Sequence, residues 1–248
     1  LDARTLSSLN IYLLIPALVY SGLSARELDW ALFGKYALGA AAMVTAMTVL
    51  LTGVGRLRKL QGAMASALLL VQFPNLGNFG LPVNRFAFGE EGLALALVVM
   101  VCGSFLQNSV AVYFAQRAEH SVGRAVLRVF KYPMIYAFFI ALLSQRTGIR
   151  PPVMVGRAVG LIADAAIPCQ LLILGIKLAE TRFERSPEVF LGAGMRLCVA
   201  PVLALAVTLV LRLDGLAQDV FILQMSGPVA VGMAVYGVQF DVKAGFLA

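Results

Sequence analysis

Charge is what this sequence has least of. Only 13% of its 248 residues are Asp, Glu, Lys or Arg, while 60% are apolar and the mean hydropathy is +0.86; soluble domains carry about a quarter charged residues. That shortage excludes an ordinary water-soluble domain, because too few charged side chains exist to clothe a surface, and lipid must solvate most of it. Cysteine is also scarce: Cys102, Cys169 and Cys198 are odd in number and lie inside apolar runs, which excludes a disulfide framework and leaves small apolar filler. The one histidine, His120, falls in a basic stretch and reads as solvated. No HExxH, paired aspartates or Ser/His set occurs within the apolar runs, so an intramembrane enzyme lacks its nucleophile or metal constellation. Alternation over about ten residues is missing as well, which excludes a lipid-exposed β-barrel.

What is present is a series of long apolar runs. A bilayer core takes about 20 apolar residues per helix, and charged clusters recur roughly every 25 to 30 residues, which predicts eight spans near 8–23, 31–54, 62–86, 93–115, 132–143, 153–176, 189–211 and 220–242, the fifth being the shortest. A net charge of +7 does not read as nucleic-acid binding, because the basic residues sit in short loops and alternate from loop to loop. One set holds Arg4; Arg56, Arg58 and Lys59; Arg117, Arg124, Arg128 and Lys131; Lys177, Arg182 and Arg185; and Lys243, and the other only Arg26, Lys35, Arg146, Arg150 and Arg212. Twelve against five places the first set in the cytoplasm. Three further arginines, Arg85, Arg157 and Arg196, lie in spans and are assigned to their nearer ends. The stretch 117–131 reads as a topology and headgroup anchor.

The halves repeat. IPALVYSGLSARE from Ile15 matches IPCQLLILGIKLAE from Ile167; FGKYALG and TVLL are followed in the second half by LGAGMRL and TLVL; VQFPNLGNFGLP has its counterpart in LQMSGPVAVGMAVYG. Five spans separate the members of each pair, so the copies cross the membrane in opposite directions. The expected organisation is a first repeat over 1–116, a basic cytoplasmic linker over 117–131 and a second repeat over 132–248. Five helices per repeat would leave the first helix of one copy and the last of the other outside this stretch, in a ten-helix protein with both termini outside the cell.

Two of these runs carry chemistry. Gln72, Pro74, Asn75, Gly77, Asn78, Gly80 and Pro82 fall within one span, and so many helix breakers and amides would be costly in lipid unless the backbone opens beside protein or an aqueous cavity. Gln224, Ser226, Gly227 and Pro228 interrupt the eighth span at the equivalent place. Two such breaks that cross would form one midplane site, with helix N-termini favouring an anion. A plain kink against small neighbours is the competing reading. Gln107 and Asn108 offer amides to the same cavity or to a cation, or else bond between helices. Asp164 is the only carboxylate that the sequence places deep within a span, four residues before Pro168; it reads either as a proton-coupling group or as a hydrogen-bonded structural carboxylate, paired for instance to Arg157 or Arg196.

FPNLGNFGLPVNRFAFG, with its Asn-x-x-x-x-Gly-x-Pro pattern, resembles a broken helix of the auxin efflux carrier family, the plant PIN proteins and bacterial organic-acid permeases. SGPVAVGMAVYG resembles that family's second broken helix, LIADAAIPCQLLILGIKLA its seventh helix and NIYLLIPALVYSGLS its second. The resemblance covers nearly the whole chain. It implies an all-α polytopic membrane protein with inverted repeats and two crossed broken helices, related to the bile-acid sodium symporters, in which a scaffold and a transport domain cradle a carboxylate. The long cytoplasmic loop of many plant members is absent, which puts auxin in doubt and points to a bacterial member in the inner membrane.

The expected activity is therefore secondary transport of a small carboxylate by alternating access of elevator type. The expected substrate-binding residues are Asn75, Gly77, Asn78, Gly80, Pro82, Gln107, Asn108, Gln224, Ser226 and Pro228, with Asp164 as the proton-coupling candidate. No cofactor or metal is expected beyond a coupling H+ or Na+. The expected partners are the carboxylate and membrane lipid, not nucleic acid, with a homodimer left open. The alternatives are a sodium-coupled carrier like the bile-acid symporters, or a channel or sensor of the same fold.

Overall fold

The computed structural model describes residues 3–24, 27–116, 132–180 and 186–233. Helix α1 (Ala3–Leu9) passes through a π turn (Asn10–Leu14) into α2 (Ile15–Ser24), and α3 (Trp30–Leu57) follows. Next come α4 (Gly62–Leu70), then a π turn (Leu76–Gly80) leading into α5 (Leu81–Gln116). The second half has α6 (Pro133–Thr147), α7 (Val153–Asp164), α8 (Ala166–Glu180), α9 (Pro187–Gly194) with a π turn (Met195–Val199) into α10 (Ala200–Leu211), and α11 (Gly215–Ser226). Gly89, at φ 65° and ψ −156°, breaks α5 into two helices, a backbone that glycine adopts without a Cβ clash. The predicted third and fourth spans meet at that turn.

Five stretches are long and apolar enough to cross a bilayer: Arg4–Ser24, Trp30–Leu57, Leu76–Gln107, Val153–Glu180 and Pro187–Leu211. The protein is thus an all-helical multi-pass membrane protein. The other predicted spans are α6, with 15 residues, and the broken helices containing α4, with 9, and α11, with 12; each falls short of the roughly 20 a continuous span needs. Local chemistry sets the ends. Asp29 caps α3 by accepting from the N–H groups of Ala31 at 2.8 Å and Leu32 at 3.1 Å, and Gly148, at φ 69°, closes α6 in the left-handed conformation. The outer faces are apolar, with Leu38, Val49, Phe139, Val202, Leu209 and Val210 exposed, as a lipid-solvated surface requires.

Each π turn ends two residues before a proline: Pro16, Pro82 and Pro201. A proline ring collides with the carbonyl four residues back and supplies no N–H, and the wider turn makes room without breaking the helix. Pro168 is served differently. Asp164, the residue four before it, ends α7, and a turn at Ala165 separates α7 from α8.

Two packed groups result. α2 lies against α6 and α7, while α3, α5, α10 and α11 pack on one another. α2 also touches α5, and α8 packs on the turn Leu76–Gly80, so the second group's broken helix sits where the groups meet.

Candidate functional site

Between α4 and the turn at Leu76 the chain is unwound, and beyond α11 it is extended again. These two stretches run antiparallel to each other inside the helical bundle. Asn75 donates its N–H to the Pro228 carbonyl at 2.8 Å, and Ala230 donates to the Phe73 carbonyl at 2.9 Å, with Pro74 opposite Val229. Backbone groups released by both breaks thereby satisfy each other, which is what permits unwound chain at membrane depth. The two broken helices cross, as the sequence indicates, but the opening lies elsewhere than expected in one respect. It is centred on Pro74 and Asn75, whereas Pro82 is buried inside the helix, accommodated by the π turn.

On one face of the crossover two helix C-termini converge, those of α4 and α11, each with partly negative carbonyls. Arg196 fills the space. It is 1% exposed, and its Nε donates to the Gly227 carbonyl at 2.7 Å, one terminal nitrogen to the Gln72 carbonyl at 3.1 Å and the other to the Met225 carbonyl. An arginine at the centre of a membrane helix costs about 3 kcal/mol on insertion scales, and hydrogen bonds to a charged group contribute about 1.5 to 3 kcal/mol each, so three of them offset the penalty. Only about 20 Å³ remains open beside it. The sequence offers no hint of this position beyond an arginine in an apolar run, and the pairing with Asp164 weighed for it does not form, since its donors go to backbone carbonyls. Arg85, the arginine nearest the first break in sequence, is committed to Glu90 at 2.7 Å.

The opposite face holds a cavity of about 210 Å³ lined by Pro74, Asn75, Gly77, Asn78, Gln107 and Gly232, among others. The helix that starts at Leu76 presents its first turn there, and the first turn of a helix has N–H groups without intrahelical partners. Asn75 is 5% exposed and its side-chain amide nitrogen has no hydrogen-bond partner. Asn10, in the first π turn, donates to Asn78 Oδ1 at 3.4 Å and leaves its own Oδ1 unpartnered. Buried polar atoms are normally bonded, so the free amide donor of Asn75, which lines the cavity, marks a place shaped for an acceptor.

Not every expected residue faces this cavity. Gln224 is fully buried and works as a strut: its nitrogen donates to the carbonyls of Leu76 at 3.1 Å and Ala96 at 3.2 Å, and its oxygen accepts from Asn84 at 3.0 Å. Gly80 is required by that approach, since a Cβ there would lie 2.0 Å from Gln224 Oε1. Ser226 donates back to the Ile222 carbonyl at 2.6 Å, and Pro228 contributes its backbone carbonyl to the crossover. Gln72, bonded to Thr48 at 2.8 Å, is likewise structural. The side chain of Asn108 lies outside the described residues. Gln107 lines both the large cavity and the small void beside Arg196. Asp164 is exposed at the joint before Pro168 and forms no ion pair with Arg157 or Arg196; the ion pairs among the described residues are Arg85 with Glu90 and Lys177 with Glu180. Cys102 and Cys169 are buried filler, but Cys198 is exposed.

Sequence reasoning missed Asn10, Asn84 and Gln170. Gln170 is fully buried on α8, with neither amide atom bonded. An amide in an otherwise apolar helix is the signal that points to each.

The family model described as "Membrane transport protein" matches residues 2–247. An "Uncharacterized transporter" of Methanothermobacter thermautotrophicus is 27% identical over 97% of this chain and 80% of its own length. Another "Uncharacterized transporter", from Methanocaldococcus jannaschii, is 24% identical over 77% of this chain and 64% of its own. A "Putative malonate transporter" of Rhizobium meliloti is 23% identical over 96% of this chain and 78% of its own.

Proposed function

The chain belongs to the membrane transport protein family, and on that premise we propose that it is a secondary carrier of a small carboxylate anion, held at the crossover of its two broken helices. The observation that carries this reading is the imbalance between the two faces. The negative helix ends are already matched by Arg196, while the face with the Leu76 helix N-terminus has an unpartnered Asn75 amide donor and an unfilled cavity. A carboxylate fits that deficit: it accepts from N–H groups, is favoured by a helix N-terminus, and feels the guanidinium behind the crossover through a low-dielectric interior. The relative named for malonate supports this chemical class and makes malonate the first probe.

Weak, distributed binding suits a carrier, since amides each contribute only about 1 kcal/mol and the cargo must leave again. The two packed groups give the motion a physical basis. The group of α3, α5, α10 and α11 carries the crossover and slides against α2, α6 and α7, an elevator with the site at the boundary. With the more basic loops cytoplasmic, the cavity, which reaches Tyr132 and Met134 at the start of α6, opens to the cytoplasm. The two halves are inverted repeats in a bacterial inner membrane. Malonate counterflow in vesicles tests the reading: labelled malonate accumulating transiently against unlabelled malonate supports a carrier, and flux without trans-stimulation indicates a channel.

A further inference from the structure

We infer that Arg196 is a built-in cation at the crossover, occupying the position where converging half-helix carbonyls would otherwise bind sodium. Carbonyls at unwound stretches and half-helix C-termini are what coordinate coupling sodium in broken-helix carriers. Here the carbonyls of Gln72, Met225 and Gly227, one from the first break and two from the second, all accept from a single guanidinium. The group is 1% exposed, and the void beside it, about 20 Å³, has room for little more than one water. A second cation in this space would lose its oxygen ligands to Arg196 and meet a like charge. The planar fork of the guanidinium also reaches carbonyls in three directions at once. The π turn Met195–Val199, opened for Pro201, places Arg196 on the helix face that meets both breaks. The crossover is therefore neutralised without an ion from solution, and the sodium-coupled alternative loses its cation site.

The site rests on geometry alone; only its consequence for coupling rests on the carrier reading, so the decisive experiment uses no substrate. Purified protein is melted in sodium chloride and in choline chloride at equal ionic strength, with and without low-millimolar guanidinium. The wild-type protein should melt at one temperature in all of these. Arg196→Ala should melt about 10 °C lower and regain about 4 °C, saturably, at guanidinium near ten times its Kd. Arg196→Lys keeps the charge and should fold and remain indifferent to sodium, which keeps the test decisive if the alanine variant does not fold. A saturable sodium-specific rise in the melting temperature of the wild-type or lysine protein would overturn the inference, as would an alanine variant that folds but ignores guanidinium. Failure of malonate to be carried at all would count against the proposed function and leave this result standing.

Discussion

The two faces of the crossover are built from the same parts and left in opposite states. On the Arg196 face, three carbonyls meet three donors and almost no space remains; on the Asn75 face, a buried amide donor has no acceptor and about 210 Å³ stands open. The lesson is that a broken helix produces two kinds of orphan backbone group, carbonyls at one half's end and N–H groups at the other's start. This chain supplies a permanent partner for the first kind only. A carrier needs that asymmetry, because a saturated site has no reason to take up cargo and an unsupported crossover would not hold its shape.

The comparison can be broken most severely at the strut that holds both faces. Gln224→Leu removes an oxygen that accepts from Asn84 and a nitrogen that serves Leu76 and Ala96; leaving those buried groups unpaired should destabilise the protein by about 3 kcal/mol or more, seen as a lowered melting temperature together with lost uptake. Gly80→Ala presses on the same strut from the other side, with its Cβ 2.0 Å from Gln224 Oε1. Overpacking of this kind costs about 1 to 3 kcal/mol, and a thermal-shift assay should register it whether or not substrate is present. Asn75→Ala sharpens the contrast, since it touches the open face alone. The dissociation constant for malonate should rise roughly tenfold, about 1.4 kcal/mol, with the melting temperature nearly unchanged; calorimetric titration separates the two readouts. Pro228→Ala keeps the backbone carbonyl that pairs with Asn75, so binding should hold while the uptake rate falls through a stiffer break. The smallest effect is expected at Asp164→Asn, an exposed site touching neither face: stability stays level, and the pH profile of uptake decides its role, flattening if this carboxylate carries the proton and keeping its shape if it serves only the joint before Pro168.

Much of the architecture is legible in the sequence because its cause is local. Apolar run length marks the spans, and Pro74 with Asn75 and Pro228 with Gly227 mark the breaks, since proline and glycine disrupt helices wherever they stand. Pro82 shows the limit of that logic. It looks like a breaker, but a π turn absorbs it, and whether a helix widens or unwinds depends on what packs around it. Arg196 is illegible for a related reason: its partners lie 124 and 29 to 31 residues away in sequence, and nothing near Met195 says that two other helices end beside it. Asn10, Asn84 and Gln170 carry a readable signal, an amide in an apolar run, yet the faces they share emerge only when the helices pack.

The most direct test of the account is a structure of the protein with malonate bound in a lipid nanodisc. Density for the carboxylate should lie within hydrogen-bond reach of Asn75 Nδ2 and the first turn of the helix beginning at Leu76, on the face of the crossover away from Arg196. Density instead in the polar cavity of about 410 Å³ lined by Tyr20, Ser144 and Arg150, with the Asn75 face empty, would contradict it.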